Sequence, residues 1–546
     1  MALAEHLLIL PILLPLFAGA LMLLFDERRH VLKAGINIVS TLLLLILSVA
    51  LLRLADTPDA EGAAMKVYLL GDWAAPFGIV LVLDRLSALM VALSSVLASA
   101  ALVFSLARWH KAGPHFHTLF QFLLMGLNGA FLTGDLFNLF VFFEVLLAAS
   151  YGLMLHGSGS FRVRAGLHYI AINLAASLLF LIGVSLIYGV TGTLNMADLA
   201  VRIPGVAPED RALLEAGAAI LGVAFLVKAG MWPLCFWLPT AYMAASAPAA
   251  ALFAVLSKVG FYVLLRLSLL LFGSEAGRLT GFGGGVLLVG GMVTIAFGAF
   301  GVLASQSLGR LAGYSLLVSS GTLLAAVGLG DTAIVSGAMF YLLSSTLTIS
   351  ALFLLIELVE RAQEPGANLL TVTMEAYGDD IEPEDEEEEE VGVVMPGALA
   401  LLSVCFGLIA LLLAGLPPLS GFIGKFALVN AVFNPEGLGA GAKALGAMAW
   451  VYAALLILSG LAALTAMMRT GIRTFWAPLE VIIPRVLVVE IAPIILLIGL
   501  CVVLTAEAGT VMRYTDAMAR SLHDKQSYIG SVLPGSVAPS AAEGAP

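Results

Sequence analysis

The sequence is poor in charge. Only 12% of its 546 residues are Asp, Glu, Lys or Arg, whereas 61% are hydrophobic. Soluble domains carry about 25% charged and about 45–50% apolar residues, so this composition excludes an ordinary soluble protein. Apolar segments of about 20 residues, the length that crosses the hydrocarbon of a bilayer, recur along the chain. The composition therefore predicts a polytopic membrane protein.

Cysteine is also scarce. Cys235, Cys405 and Cys501 lie singly in or beside apolar segments, without the short Cys or His spacing of a metal site. This spacing supports neither a disulfide framework nor a zinc site. The sequence has no nucleotide-binding glycine fingerprint and no basic nucleic-acid patch in a suitable context. We therefore expect no cofactor, no nucleic-acid partner and no soluble catalytic domain.

Fourteen segments have the length and apolar character of membrane spans. Lipid offers no hydrogen bonds to a polypeptide backbone, so we expect each segment to be a helix. The predicted spans are residues 4–25, 34–54, 84–106, 116–133, 136–156, 165–189, 213–231, 247–272, 283–304, 308–329, 334–359, 395–414, 444–468 and 487–508.

Positive charge is distributed unevenly between the loops. The first span is too long for the core of a cleaved signal, and its basic cluster follows it instead of preceding it. Cytoplasmic loops carry the excess of Lys and Arg, so the pattern predicts both termini on the outer side. The basic residues that follow odd-numbered spans are Arg28, Arg29, Lys33, Arg108, Lys111, Arg162, Arg164, Arg310, Arg361, Arg469, Arg473 and Arg485.

The formal net charge of −11 has a local origin. Residues 378–390, GDDIEPEDEEEEE, hold ten acidic residues and no basic one. Like charges repel and keep such a block extended in water. We interpret the acidic loop 362–394 as a solvated cytoplasmic insertion, and a role in concentrating cations or docking a partner is the alternative.

Few ionisable residues lie inside the predicted spans. A charge at the bilayer centre costs roughly 2.5–3.5 kcal/mol, so each is a functional hypothesis that needs a partner. Buried Lys and Glu groups respond to the charge of their neighbours, and a row of them can relay protons. The alternative is that each charge is a structural pin, by which we mean a charge that is satisfied by a helix end or a neighbouring carbonyl and has no role in transport. The residues are Glu144, Lys228, Lys258, Arg266 and Lys425, with Asp135, Arg85, His168 and Glu357 nearer the span ends.

Several of these residues have competing interpretations. Asp135 stands at the head of the fifth span, where capping the helix competes with a relay role. It lies nine residues from Glu144, on the opposite helix face at about 100° per residue. His168 is either interfacial or part of a proton path. Arg85 and Arg266 are interpreted as structural, because arginine can reach the interface or pair across helices.

Two apolar stretches are too long for one crossing. Residues 213–245 and 395–433 both contain prolines, and they hold Lys228 and Lys425. We predict a broken helix at the seventh and the twelfth span. Because the offset between them is five spans, an odd number, the two run in opposite directions, as an inverted repeat of spans 4–8 and 9–13 requires. The predicted divisions are 1–106, the N-terminal helices; 107–272, the first repeat; 273–468, the second repeat; and 469–546, the last helix and a polar tail.

Five segments carry a family resemblance: TGDLFNLFVFFEVLLAASY, YGVTGTLNMADL, VKAGMWPLCFWLPTAY, RLAGYSLLVSSGTL and AGLPPLSGFIGKF. Their combination and order resemble the D subunit of the Mrp-type multisubunit monovalent cation/proton antiporters, also called Pha or Mnh. The resemblance covers nearly the whole chain, and the acidic insertion looks most like the proteobacterial Pha branch. That family is homologous to the antiporter-like proton-pumping subunits of respiratory complex I and membrane-bound hydrogenases.

The resemblance implies a fourteen-helix inverted-repeat fold and a proton relay. The family pattern places Glu in the fifth helix and Lys in the broken seventh, the eighth and the broken twelfth, matched by Glu144, Lys228, Lys258 and Lys425. It also implies partners and a location: other membrane subunits of the same complex, protons, monovalent cations and the bacterial inner membrane. The alternative function is a proton-pumping subunit of a redox complex.

The chain departs from the family pattern in its second half. Related subunits often carry His in the tenth helix and His or Lys in the eleventh, where this sequence has Ser319 and Ser344. Serine holds water but does not titrate near neutral pH. The expected mechanism pairs protonated Lys228 with ionised Glu144. Breaking that pair moves a proton toward Lys258, and charge then passes to Lys425 through hydroxyls and water. No cluster of oxygen ligands predicts a cation or metal site.

Overall fold

A computed structural model describes residues 6–57, 65–376, 397–434, 446–476 and 486–534, with side chains described outside 362–376. These residues form nineteen α-helices and one antiparallel pair of strands. Twelve of the described helices are long and apolar enough to cross a membrane. The helical membrane fold is therefore confirmed, and the strand pair is an addition that the sequence did not predict.

The N-terminal part holds three helices and the two strands. A capping box begins α3 (Arg85–Ser105), because the Asp84 carboxylate accepts from the Ser87 amide at 2.8 Å while the Ser87 hydroxyl accepts from the Asp84 amide at 2.9 Å. The elements are α1 (Leu10–Leu23), α2 (His30–Asp56), β1 (Lys66–Leu69), β2 (Val80–Leu83) and α3 (Arg85–Ser105).

The remaining helices follow the order of the predicted spans, with two additional short segments before residue 247. The part of the chain from 107 to 272 is called the first half, and it holds α4 (Phe116–Leu132), α5 (Leu136–Leu155), α6 (Ser160–Thr191), α7 (Met196–Arg202), α8 (Arg211–Ala229), α9 (Leu238–Ala244) and α10 (Ala247–Phe272). The part from 273 to 468 is called the second half, and its helices, with α16 running slightly past it, are α11 (Gly284–Ala304), α12 (Leu308–Leu329), α13 (Thr332–Ala376), α14 (Gly397–Ala414), α15 (Ser420–Phe433) and α16 (Ala447–Gly471).

Three further helices complete the described chain: α17 (Val488–Ala506), α18 (Ala508–His523) and α19 (Lys525–Val532). The region after the last predicted span, where a polar tail is expected, thus contains two helices. Its residues 515, 518, 519 and 522 are buried and follow helical spacing, which gives α18 one face to pack against the bundle. The strands, α18 and α19 lie together at one end of the bundle, called the hairpin end.

Four helices form the interior of the bundle. In α3, α10, α12 and α13, 83–94% of the apolar stretch is buried, whereas the other candidate spans are 39–50% buried. The outer helices therefore leave apolar faces for lipid or for other membrane proteins. Lys258 lies on α10 and Ser319 on α12, so both belong to the interior.

The eleventh predicted span needs a correction at its end. The span was placed at 334–359 and followed by a loop from 362, but α13 continues to Ala376. Charged residues near 360 end the apolar stretch without ending the helix, which explains the error. The acidic block 378–390 lies outside the described residues.

The count of fourteen spans and the inverted repeat stay predictions. The predicted spans 4–25 and 116–133 coincide with shorter apolar helices, α1 of 14 residues and α4 of 17 residues. The two predicted helix breaks are present in the described chain, between α8 and α9 and between α14 and α15.

Candidate functional site

The two helix breaks have the same local backbone. Gly230 directly follows helix α8 and Gly415 directly follows α14. Both glycines have a φ of +74°, a backbone conformation that other residues rarely adopt. In each case the following amide bonds to a carbonyl five residues earlier, from Met231 to Leu226 at 3.0 Å and from Leu416 to Leu411 at 3.1 Å. This is the hydrogen bond of a Schellman helix end.

The lysines occupy opposite sides of these breaks. Lys228 precedes Gly230 by two residues, whereas Lys425 follows Gly415 by ten, so the expectation that the two lysines sit in similar places is wrong. The position equivalent to Lys228 is Leu413. The ammonium groups of both lysines nevertheless belong to the C-terminal end of the half-helix before the break. Lys228 lies in the last turn of α8, and the Lys425 Nζ donates to the carbonyls of Leu413 and Ala414 at 3.1 and 3.0 Å.

Lys228 is buried, and its Nζ has no hydrogen-bond partner among the residues that the structure describes. Its side chain is 5% exposed, and its Nζ lies 4.9 Å from the centroid of the Phe143 ring. The neighbouring Glu144 is half-buried, and its Oε1 also has no hydrogen-bond partner among the described residues. No salt bridge within 4.0 Å joins the two described side chains, and the expected pairing of protonated Lys228 with ionised Glu144 stays a prediction. The ammonium packs on the aromatic face instead.

Lys258 connects the first half to the second. It is fully buried in α10, and its Nζ donates to the Ser319 hydroxyl at 2.8 Å and lies 3.5 Å from the Ser320 hydroxyl. Ser319 in turn shares a hydrogen bond of 3.0 Å with Ser345 of α13. Ser319, at the position where the family resemblance leads us to expect histidine, therefore contacts Lys258, the candidate relay lysine, directly.

Ser319 and Lys425 line the same cavity, called the serine chamber. Its volume is about 30 Å³, enough for one or two water molecules. Next to it, the Ser344 and Ser420 hydroxyls share a hydrogen bond of 2.8 Å. The polar side chains that line the chamber are Ser315, Ser319, Tyr341, Ser344, Ser345, Thr348, Lys425 and Ser459.

Glycines shape the space around Lys425. A Cβ on Gly415 would lie 2.6 Å from the Lys425 Cδ, and a Cβ on Gly460 of α16 would lie 3.0 Å from its Nζ and 2.4 Å from the Ala414 carbonyl. In the first half, a Cβ on Gly260 would lie 2.8 Å from the Ala229 amide nitrogen. A glycine therefore lets the following span approach each broken helix closely.

The other two candidate residues, Asp135 and His168, do not line the serine chamber. Asp135 caps α5, because its Oδ1 accepts from the amides of Phe137 and Asn138 at 2.8 and 3.0 Å. His168 is on the exposed face of α6, where its ring contacts the Arg164 carbonyl at 2.9 Å. The structure does not bring either residue into the serine chamber, and their relay roles stay predictions.

Two buried carboxylates were not identified as candidate residues from the sequence. Asp84 is 2% exposed and accepts from Arg266, and Glu490 is fully buried beside Arg361 at 2.8 Å. Arg85 pairs with Asp56 at 2.9 Å. Asp84 precedes an apolar run by one residue and has Ser87 three residues later, a spacing that could have identified it as a helix cap. In the part of the chain that the structure describes, no group of three or more His, Cys, Asp or Glu residues is arranged to hold a metal ion.

Known proteins resemble this chain over nearly its full length. The family model described as NADH:quinone oxidoreductase/Mrp antiporter, TM, matches residues 133–439. A protein of Rhizobium meliloti named as the D subunit of a probable K⁺/H⁺ antiporter is 64% identical over 95% of this chain and 96% of its own. The D subunit of the Na⁺/H⁺ antiporter of Alkalihalophilus pseudofirmus is 34% identical over 97% of this chain and 99% of its own.

A solved structure has the same fold. A chain of the Mrp complex from Dietzia sp. superposes with a TM-score of 0.81 and 24% identity, covering 98% of this chain and all of that one. The relatives are thus transporter subunits, and the family model spans the buried lysines and the broken helices described above. The chain belongs to the NADH:quinone oxidoreductase/Mrp antiporter family of membrane subunits.

Proposed function

We propose that this chain is the proton-translocating subunit of a multisubunit Na⁺ or K⁺/proton antiporter in a bacterial plasma membrane. Its relatives are named as antiporter D subunits, with K⁺ in one case and Na⁺ in another. Other membrane subunits of the same complex are its partners, and the half-buried outer helices leave apolar faces for them. The loop charges support an outer location for both termini.

The observation that carries the proposal is the serine chamber. Lys258 reaches it through Ser319, and Lys425 lines it. A hydroxyl both donates and accepts a hydrogen bond, so serines and a water molecule can carry a proton between two lysines without titrating themselves. The chamber replaces the histidines that related subunits carry at these positions.

The first half supplies the proton. Lys228 has no hydrogen-bond partner in the described part of the chain, so its charge depends on the electrostatic field of its surroundings and on Glu144, one residue beyond the ring that it contacts. In a medium of low dielectric constant this dependence extends beyond contact distance. A change in the charge of Glu144, imposed by an ion or a neighbouring subunit, shifts the proton from Lys228 toward Lys258. Membrane potential and cation movement elsewhere in the complex drive the cycle.

The fold alone does not separate an antiporter subunit from a pump subunit of a redox complex, since one family model covers both. The 64% identity to a named antiporter subunit supports the first. Purification would distinguish them. If the chain belongs to an antiporter, other antiporter subunits should purify with it, whereas a redox complex should bring an iron–sulfur arm.

The proposal is tested with Lys258→Met, which keeps an unbranched side chain and removes the ammonium. We expect cation/proton exchange in inverted membrane vesicles to fall to background at matched complex levels. Lys111→Met, at an exposed lysine outside the candidate spans, is the control and should exchange normally. Normal exchange by assembled Lys258→Met would show that protons do not pass through this lysine.

A further inference from the structure

A second buried charge lies on α10, beyond the relay lysine. The Arg266 Nη2 donates to both oxygens of Asp84, at 2.9 and 2.8 Å, and the two side chains are 4% and 2% exposed. The relay described above uses neither residue. Burying such a pair is costly, and packing alone does not require it.

Arg266 stands in line with Lys258. Residues 258, 262 and 266 are spaced by four along α10, so their side chains share one helix face, and Arg266 lies about 12 Å from Lys258 toward the hairpin end at 1.5 Å per residue. Between them, the Tyr262 hydroxyl donates to the Phe131 carbonyl at 2.5 Å and accepts from the Arg266 Nε at 3.1 Å. The hydroxyl proton of Tyr262 is therefore occupied in a hydrogen bond to a backbone carbonyl.

The C-terminal helices cover this pair. The ring of Tyr528, on α19, lies 5.7 Å from the Arg266 guanidinium and is 4% exposed. The Tyr514 hydroxyl, on α18, donates to the Arg85 carbonyl at 3.0 Å, next to Asp84 in the chain. On the other side, a ring nitrogen of His523 contacts the Gly330 carbonyl at 2.8 Å. The segment 508–532 therefore spans both halves at the hairpin end.

We propose that Arg266, fixed by Asp84 and covered by Tyr528, is an electrostatic stopper that keeps a proton on Lys258 from leaving through the hairpin end. Arginine stays charged in proteins, so it cannot accept and pass on a proton as lysine does. A fixed arginine excludes protons and cations from a pore in the same way. Asp84 stabilises the buried cation, and the proton on Lys258 is left with the serine chamber as its way out.

The stopper rests on the proposed function of Lys258, so its test measures leak and not exchange. The double variant Asp84→Asn/Arg266→Gln removes both charges together and leaves no unpaired buried ion. The assay follows the decay of an imposed pH gradient in membrane vesicles that contain the whole complex, in choline buffer without sodium or potassium. We expect the decay to be several-fold faster than in wild type, and adding Lys258→Met should return it to the wild-type rate.

The neighbouring pair provides a matched control. Asp56→Asn/Arg85→Gln removes an ion pair at the same end of the bundle, whose carboxylate side chain is 56% exposed. It should not leak. If Asp84→Asn/Arg266→Gln assembles and holds the gradient as wild type does, the pair is only a structural pin. If that variant fails to assemble, Arg266→Lys decides, because it keeps a cation beside Asp84 that can accept and release a proton: a leak supports the stopper, and none overturns it.

The two proposals fail in different ways. Exchange that survives Lys258→Met would remove the relay, whatever the leak. Loss of exchange in Lys258→Met, together with a tight Asp84→Asn/Arg266→Gln variant, would remove only the stopper. A leak that persists in the triple variant would show that the proton escapes by a route that avoids Lys258, which also overturns the stopper.

Discussion

The break at Gly230 and the break at Gly415 share one backbone geometry and hold their lysines in different ways. Lys228 belongs to the half-helix before its break, and no described residue forms a hydrogen bond with it. Lys425 belongs to the half-helix after its break and reaches back to two carbonyls of the preceding one. Carbonyls at a helix C-terminus attract a cation in both halves. The difference teaches that the site for the ammonium is common to both halves, while the residue that supplies it is not.

The two lysines should therefore respond to different kinds of substitution. An ammonium without hydrogen bonds, against an aromatic ring, depends on the surrounding charge, and in the first half Glu144 is the carboxylate nearest in sequence to that ring. An ammonium held by two carbonyls and packed among glycines depends also on shape. We therefore expect substitutions in the first half to act through charge and those in the second half to act through both charge and space.

The largest effect is expected in the first half. Lys228→Met and Glu144→Gln should each reduce exchange on the order of 100-fold or more, the scale at which a positioned proton-transfer group contributes. The measurement is exchange in inverted vesicles at matched assembly. Glu215→Gln, at an exposed carboxylate of α8, is the control. Near-normal exchange in either variant would place the relay elsewhere, and failed assembly of both would favour structural pins.

The next effect concerns Lys425. Lys425→Arg should be strongly impaired, because a permanent cation cannot release its proton and the larger head must fit beside Gly415 and Gly460. Lys425→His should keep partial exchange with a lower pH optimum, since the ordinary pKa of histidine is about 6.5 and that of lysine about 10.4. The pH profile of each variant checks this. If Lys425→Arg matches wild type at every pH, the residue is an anchor and not a relay group.

A smaller effect should follow from shape alone. Gly460→Ala adds a Cβ that would lie 2.4 Å from the Ala414 carbonyl and 3.0 Å from the Lys425 Nζ, so the broken helix or the lysine must shift. We expect exchange to fall several-fold without any change of charge. Gly407→Ala, on α14 with nothing within 4 Å of the new Cβ, is the control. Equal exchange by the two variants would mean that the position of Lys425 is not critical.

The sequence predicted the fold well because its signals are local. Apolar length placed the spans and proline placed both breaks, since each signal acts within a few residues. The candidate site residues Glu144, Lys228, Lys258 and Lys425 were chosen because a charge in an apolar span has no local explanation. Contacts between distant helices leave no comparable local pattern in the sequence.

The failures are therefore of one kind. The packing of Lys228 on Phe143, the bond from Lys258 to Ser319 and the pairing of Arg266 with Asp84 each join distant parts of the chain. The two broken-helix lysines looked equivalent because proximity to a proline was the only available criterion. The side of the break on which each lies became visible only when the helix ends were known.

The central claim is that an ammonium at the C-terminal end of the half-helix before the break completes the relay in each half. The most direct test moves the lysine across the second break, from 425 to 413, the position equivalent to Lys228. Lys425→Leu alone should abolish exchange in vesicles, and Leu413→Lys in that background should recover a measurable part, because Leu413 lines the serine chamber. A double variant that assembles normally and exchanges no better than Lys425→Leu would contradict the claim.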